Sequence, residues 1–159
     1  MKGPRSSSLR EIRHPAPAGP ETLEPVLRKP ALALKTQREI EVAICQGMIR
    51  FEQEHMGRGP KDIHAHLIGD LLLVRLTGVL TAAEQHLSKS VPAEKGRDLL
   101  KQVRCHLIET ARPILEALIC DVLGIPVLSL HHDVSTVTGE QVVLFTLATP
   151  PSCRQVKTE

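Results

Sequence analysis

Five residues, Gly57-Arg58-Gly59-Pro60-Lys61, are the first place in this sequence where chemistry could concentrate. Two glycines let backbone amides approach an anion, and Arg58 and Lys61 add positive charge, as in a phosphate or carboxylate nest. The spacing matches neither the phosphate-binding loop nor the dinucleotide fingerprint. The segment also follows a predicted helix, whose C-terminus is the wrong end of the dipole for an anion. A helix C-cap followed by a proline-stiffened turn explains the same residues. Gly57, Arg58, Gly59 and Lys61 therefore stand as a candidate ligand site, weighed against a turn that serves only the fold.

Histidine is the next possible source of chemistry. His64-x-His66 projects from one face of a predicted strand, and His131-His132-Asp133 lies on another that could pair nearby. Neither Glu-x-x-His nor His-Glu-x-x-His occurs, and His86 and His106 fall on different helices, so no metal site is expected. Cys45, Cys105, Cys120 and Cys153 are far apart, with no Cys-x-x-Cys pair, and read as reduced thiols. Cys45 and Cys105 hold helical apolar positions and are expected to pack in the core. There is no Gly-x-Ser-x-Gly, no kinase loop and no telling carboxylate pair. Asp133-Val-Ser-Thr places an acid near two hydroxyls, but a turn closing a strand accounts for it. The reading is a non-enzymatic chain with no catalytic residue and no cofactor.

The elements that would position these residues emerge at Thr36. Ile40, Ala43, Ile44, Gly47, Met48 and Phe51 recur at helical spacing, Thr36 and Glu39 form a capping box, and Gly57 supplies the stop. Ile63–Ile68 and Leu71–Leu76 flank Gly69-Asp70 as a hairpin. Thr81 and Glu84 make a second capping box, opening a short helix that ends near Ser90. Pro92 suits a first helical position, after which Leu100, Val103, Leu107, Ala111, Ile114, Leu118 and Val122 keep helical spacing to Gly124, with Pro113 expected to kink the helix. Val127–Val134 and Gln141–Ala148 form a second hairpin. The order α-β-β-α-α-β-β predicts a two-layer α+β fold, an antiparallel four-stranded sheet with helices. The predicted domain spans 36–148, after a disordered, proline-rich basic tail at 1–35 and before a C-terminal tail at 149–159.

Composition sets the outer limits. The chain has 159 residues and a net charge of +2, of which the first 35 carry +4, leaving a body of −2. An acidic body lacks the field that nucleic-acid backbones require, so no nucleic acid is expected to bind it, although the tail could. Aromatic residues make up 1% of the chain, Phe51 and Phe145, which excludes modules that stack bases on rings. The N-terminus shows no apolar secretory core, and the run Leu67–Leu80 is broken by Asp70 and Arg75, so the chain reads as cytoplasmic and not transmembrane.

Leu71–Leu76 and Val142–Leu147 are apolar on both parities, so both faces of these strands need cover. With all helices on one side, the other face would stay open and serve a partner, the expectation being a homodimer. The alternative is a third helix that wraps both sides.

Gly57-Arg58-Gly59-Pro60 after an amphipathic helix, the apolar strand into Leu76-Thr77-Gly78, Leu80-Thr81-x-x-Glu84, the long helix to Gly124, and Asp133-Val-Ser-Thr with Gln141-Val-Val-Leu-Phe145 together resemble the MpsC-like family over roughly 36–148. This family is the C component of the sodium-translocating, membrane-potential-generating system. The resemblance implies a small auxiliary or regulatory domain, peripheral to the membrane through a membrane-protein partner, in a system tied to membrane potential and inorganic-carbon uptake. It transfers no catalytic residues. A small anion- or ligand-binding domain using the Gly57–Lys61 turn is the alternative.

Overall fold

The computed structural model describes residues 34–90 and 92–154. The expected disorder of the tail falls, up to residue 33, outside the described residues. Chain contacts separate Met1–Leu32 from Ala33–Glu159, and the fold below is that of the second unit.

The elements are α1 (Gln37–His55), β1 (Asp62–Ile68), β2 (Leu71–Thr77), α2 (Ala82–Lys89), α3 (Ala93–Leu123), β3 (Val127–Val134) and β4 (Gln141–Leu147). Both capping boxes form. The Thr36 amide donates to Glu39 at 2.7 Å and the Glu39 amide to the Thr36 hydroxyl at 3.2 Å, and Thr81 and Glu84 repeat both bonds at the same distances. Each such cap is worth about 1 kcal/mol. Pro92 departs from expectation by one place: it is the N-cap of α3, in extended backbone, and Ala93 is the first helical residue. The helix runs on through Pro113, whose position is exposed, so water can serve the carbonyl that the proline leaves unpaired.

The four strands form one antiparallel sheet in the order β1-β2-β4-β3, so the two hairpins meet through their second strands. Leu72, Val74 and Leu76 of β2 and Val143, Phe145 and Leu147 of β4 point into a core with Ile40, Ile44, Met48 and Phe51 of α1. From α3 the core takes Leu100, Ile108, Ala111, Leu115 and Ile119. The apolar stripe of α3 thus differs from the expected one. Val103, Leu107 and Ile114 are 44%, 39% and 47% exposed, and Arg104 lies in the buried row between Leu100 and Ile108. Counting apolar residues alone selects the wrong flank because the buried flank contains a charge. Cys105 is likewise exposed rather than in the core, whereas Cys45 is half-buried against it.

The helix α3 packs chiefly on α1, α2 and β3, and its Lys101 reaches the β3 edge at Asp133. The helices α2 and α3 meet closely at Gly96, where a Cβ would stand 2.1 Å from the Leu87 carbonyl oxygen. Only a residue without a side chain fits there.

Candidate functional site: an open sheet face over a buried ion network

The Gly57–Lys61 turn forms as a C-cap. Gly57 has φ +78°, and the Arg58 amide returns to the Glu52 carbonyl at 3.3 Å, as a left-handed cap does. The Arg58 guanidinium donates to the Leu80 carbonyl at 3.3 Å, tying the turn to the start of α2. The Lys61 amide opens the β1–β2 ladder by bonding Thr77 at 2.8 Å, and its stem crosses Gly78. Gly59 lies against the Gln53 side chain. Lys61 lines a groove of about 250 Å³ together with Lys89, Ser88, Thr136 and Thr138, and Arg58 is not among its lining residues. The two cations of the turn are held by different contacts, Arg58 at the Leu80 carbonyl and Lys61 along Gly78.

The histidine pairs are also separated. His64 and His66 stack at 6.4 Å on β1, whereas His131 and His132 belong to β3 at the opposite edge of the sheet. Among the described residues no group of three or more His, Cys, Asp or Glu side chains is arranged for a metal. Asp133 and Val134 end β3, and the turn follows them: the Ser135 hydroxyl accepts from the Thr138 amide at 3.2 Å, while Asp133 pairs with Lys101 at 3.0 Å.

Beneath the sheet lies a cluster that the motif search missed. Arg104 is 2% exposed. Its Nε donates to Glu84 at 2.9 Å, its Nη2 to the Val79 carbonyl at 2.9 Å, and its Nη1 to the Gln141 side-chain oxygen. Glu84 accepts from Arg104 with one oxygen and from the Thr81 amide with the other, so the cap of α2 also anchors α3. Burial works to raise the Glu84 carboxyl, but the Thr81 and Arg104 hydrogen bonds outweigh it and hold the group below its ordinary value. Glu52 of α1 is fully buried, 3.9 Å from Arg104 and 3.4 Å from the Gln141 amide, and its Oε2 has no hydrogen-bond partner. Two carboxylates share one guanidinium, and Glu84 holds it. Burial, with the Glu84 charge adding to it against the pull of Arg104, pushes Glu52 up to about 7. The sequence carries a signal for this cluster: Glu52 lies four residues after Met48, and Arg104 four after Leu100 and four before Ile108, so both charges sit in phase with an apolar stripe.

Among the described residues the other face of the sheet has no such cover. The register aligns His66, Leu73, Leu144 and His131 in one row across the four strands, and His64, Arg75, Val142 and Asp133 in the next. On the other side of the His66 row lie Ile68, Leu71, Thr146 and Ser129. Leu71, Leu73, Val142 and Leu144 form a central apolar stripe, and none of them belongs to the core cluster on the helix side. Two ion pairs and one hydrogen bond frame it: Arg75–Glu140 at 2.7 Å, Lys101–Asp133 at 3.0 Å, and His64 with Asp62 at 3.0 Å. Arg75 holds the Glu140 carboxyl below its ordinary value, and Lys101 does the same for Asp133.

Side chains occupy both edges of the sheet. On β1 the Leu67 amide donates to Glu41 at 3.0 Å and its carbonyl accepts from Gln37 at 3.1 Å, both residues of α1. On β3 the Leu130 carbonyl accepts from Arg112 at 3.0 Å. Blocked edges discourage strand addition and leave the face as the sheet's free surface.

Comparison with known proteins identifies a family. The family model described as the Na+-translocating membrane potential-generating system, MpsC, matches residues 36–149. An uncharacterised protein of Bacillus subtilis (strain 168), YbcI, is 33% identical over 113 residues, covering 71% of this chain and 89% of the relative. No solved structure matches. Among the described residues no helix is long and apolar enough to cross a membrane. With its α-β-β-α-α-β-β domain lying within the matched range, the chain belongs to the MpsC family.

Proposed function

We propose that this chain is a non-enzymatic interaction module, an auxiliary or regulatory component of a membrane-potential and inorganic-carbon uptake system. It acts at the cytoplasmic side of the membrane through a partner. The observation that carries this reading is the open sheet face: an apolar stripe of Leu71, Leu73, Val142 and Leu144 beside paired charges, between edges already occupied by Glu41, Gln37 and Arg112. Half-exposed apolar side chains beside a polar rim are the form of a protein contact. Family membership supports the membrane-potential part of this reading. The test is membrane potential, read with a potentiometric dye in cells lacking the gene and complemented with the wild-type chain or with Leu73→Asp. Wild type should restore the potential and Leu73→Asp should not. Equal restoration by both would overturn the role of the face.

The groove beside Lys61 favours a second reading, a small-anion site. Two lysines and the hydroxyls of Ser88, Thr136 and Thr138 line it. On this reading phosphate or bicarbonate raises the melting temperature of the wild-type chain, and Lys61→Ala abolishes the rise. No shift with any anion would remove it.

A further inference from the structure

We propose that the open sheet face is covered by a second copy of the chain, the two sheets stacked about a two-fold axis that runs along the strands between β2 and β4. This rests on the reading of that face as the working surface, and it names the occupant. Such an axis carries β1 onto β3 and β2 onto β4 of the second copy. Leu73 then lies over Leu144 of the second copy, and Leu144 over its Leu73. The registered rows also bring His64 over Asp133 of the second copy and His66 over its His131.

Three features select a second copy. The first is that the charges on this face are already satisfied. Asp62 with His64, Arg75 with Glu140, and Asp133 with Lys101 are paired within the chain. A strongly charged partner would find no group among these without a partner of its own, whereas an apolar centre with a rim of paired groups matches itself. The second is complementarity under the symmetry. An axis along the strands lays Leu73 and Leu144 on each other and keeps His64 and Asp133, each already paired within its chain, at the rim, while one across the strands and centred on the His66 row lays β1 on β1 and sets His64 against Ile68. An isologous contact requires this kind of pairing of one patch with itself.

The third feature is area. Four strands about 4.8 Å apart and seven residues long at about 3.3 Å per residue give a flat footprint of roughly 440 Å² per copy. The pair therefore buries about 900 Å² before side-chain relief is counted, near the lower bound of about 1,000 Å² for a specific interface. The dimer is accordingly weak, with dissociation in the micromolar range. The rows of Leu and Val contain no aromatic anchor that would tighten it.

The test is sedimentation equilibrium of the full chain from about 1 to about 200 µM. Wild type should pass from monomer to dimer across that range. Leu73→Asp and Leu144→Lys should each be monomeric throughout, and an equimolar mixture of the two should recover the dimer, because Asp at 73 of one copy faces Lys at 144 of the other. Circular dichroism and a thermal melt establish that each variant is folded. If Leu73→Asp fails to fold, Val142→Lys paired with Arg75→Asp serves in its place: the first alone sets Lys over Arg75 and the second alone sets Asp over Val142, so each is monomeric, and the mixture sets Lys over Asp and recovers the dimer.

A wild-type chain that stays monomeric at about 200 µM overturns the proposal. A dimer that survives the single substitutions also overturns it and moves the contact elsewhere, for example to the exposed Leu99, Val103 and Leu107 flank of α3. The cellular measurement separates this inference from the function proposed above. A monomeric chain whose Leu73→Asp variant fails to restore the potential has the right face and another occupant. A dimer broken by Leu73→Asp with potential unaffected has the right occupant and another working surface.

Discussion

Replacing Glu52 with glutamine should change how the stability of this protein depends on pH. Glu52 is buried with an unpartnered oxygen, and its carboxyl sits at about 7 against an ordinary 4.5. A tenfold change in proton affinity is worth about 1.4 kcal/mol, so ionising this group in the folded chain costs about 3 kcal/mol more than ionising it in water. Between those two values the folded state binds more protons than the unfolded state, and stability must fall as pH rises through the window. About 2 kcal/mol of the loss falls between roughly pH 5.5 and 8. The carboxyls held low by hydrogen bonds and ion pairs, such as Glu84 and Asp133, contribute stability that is lost only as pH falls below the ordinary carboxylate range, so they do not mask this slope. Urea unfolding followed by circular dichroism at several pH values measures it. Wild type should weaken by about 2 kcal/mol across that range, and Glu52→Gln, which cannot ionise, should be nearly flat. A wild-type chain whose stability is level or rising with pH, or a Glu52→Gln chain that keeps the wild-type slope, would refute the account of the buried network.

Other substitutions probe the same framework. Gly96→Ala should destabilise by about 2 kcal/mol or more, seen as a lower melting temperature, because its Cβ would press on the Leu87 carbonyl oxygen at 2.1 Å. Thr81→Ala should cost more than the ~1 kcal/mol typical of a lost cap, since Thr81 also holds Glu84 in place for Arg104, and Thr36→Ala, with no such second role, is the control. Arg104→Met should cost about 3 to 5 kcal/mol by leaving Glu52 and Glu84 without their cation, and adding Glu52→Gln should recover part of that loss in a double-mutant cycle.

Much of the architecture was legible in the sequence because local chemistry and global fold agree. Thr36 with Glu39, and Thr81 with Glu84, are capping boxes in both. The β3 range Val127–Val134 is the same in both, and both parities of β2 and β4 are apolar because one face meets helices and the other is open. What stayed hidden depends on long-range pairing. No local pattern shows that Arg58 turns to Leu80, or that β1 and β3 take opposite edges and so separate His66 from His131. On α3, apolar spacing fits two flanks, and choosing between them requires knowing that Glu84, Gln141 and the Val79 carbonyl wait for Arg104. A charged residue in apolar phase looks like an interruption until its partners are placed.

That ambiguity has a consequence for how the fold stays unique. The two flanks of α3, Leu100 with Ile108 and Leu99 with Val103 and Leu107, are offset by one residue, or about 100° of rotation about the helix axis. On hydrophobic grounds alone a rolled α3 would bury a comparable set of side chains. Rolling it would pull the guanidinium away from two carboxylates, one amide and one carbonyl, contributed by α1, α2, β4 and the segment before α2. Arg104 therefore acts as a rotational key. It contributes less to the depth of the native well than to the gap between that well and a near-isoenergetic impostor.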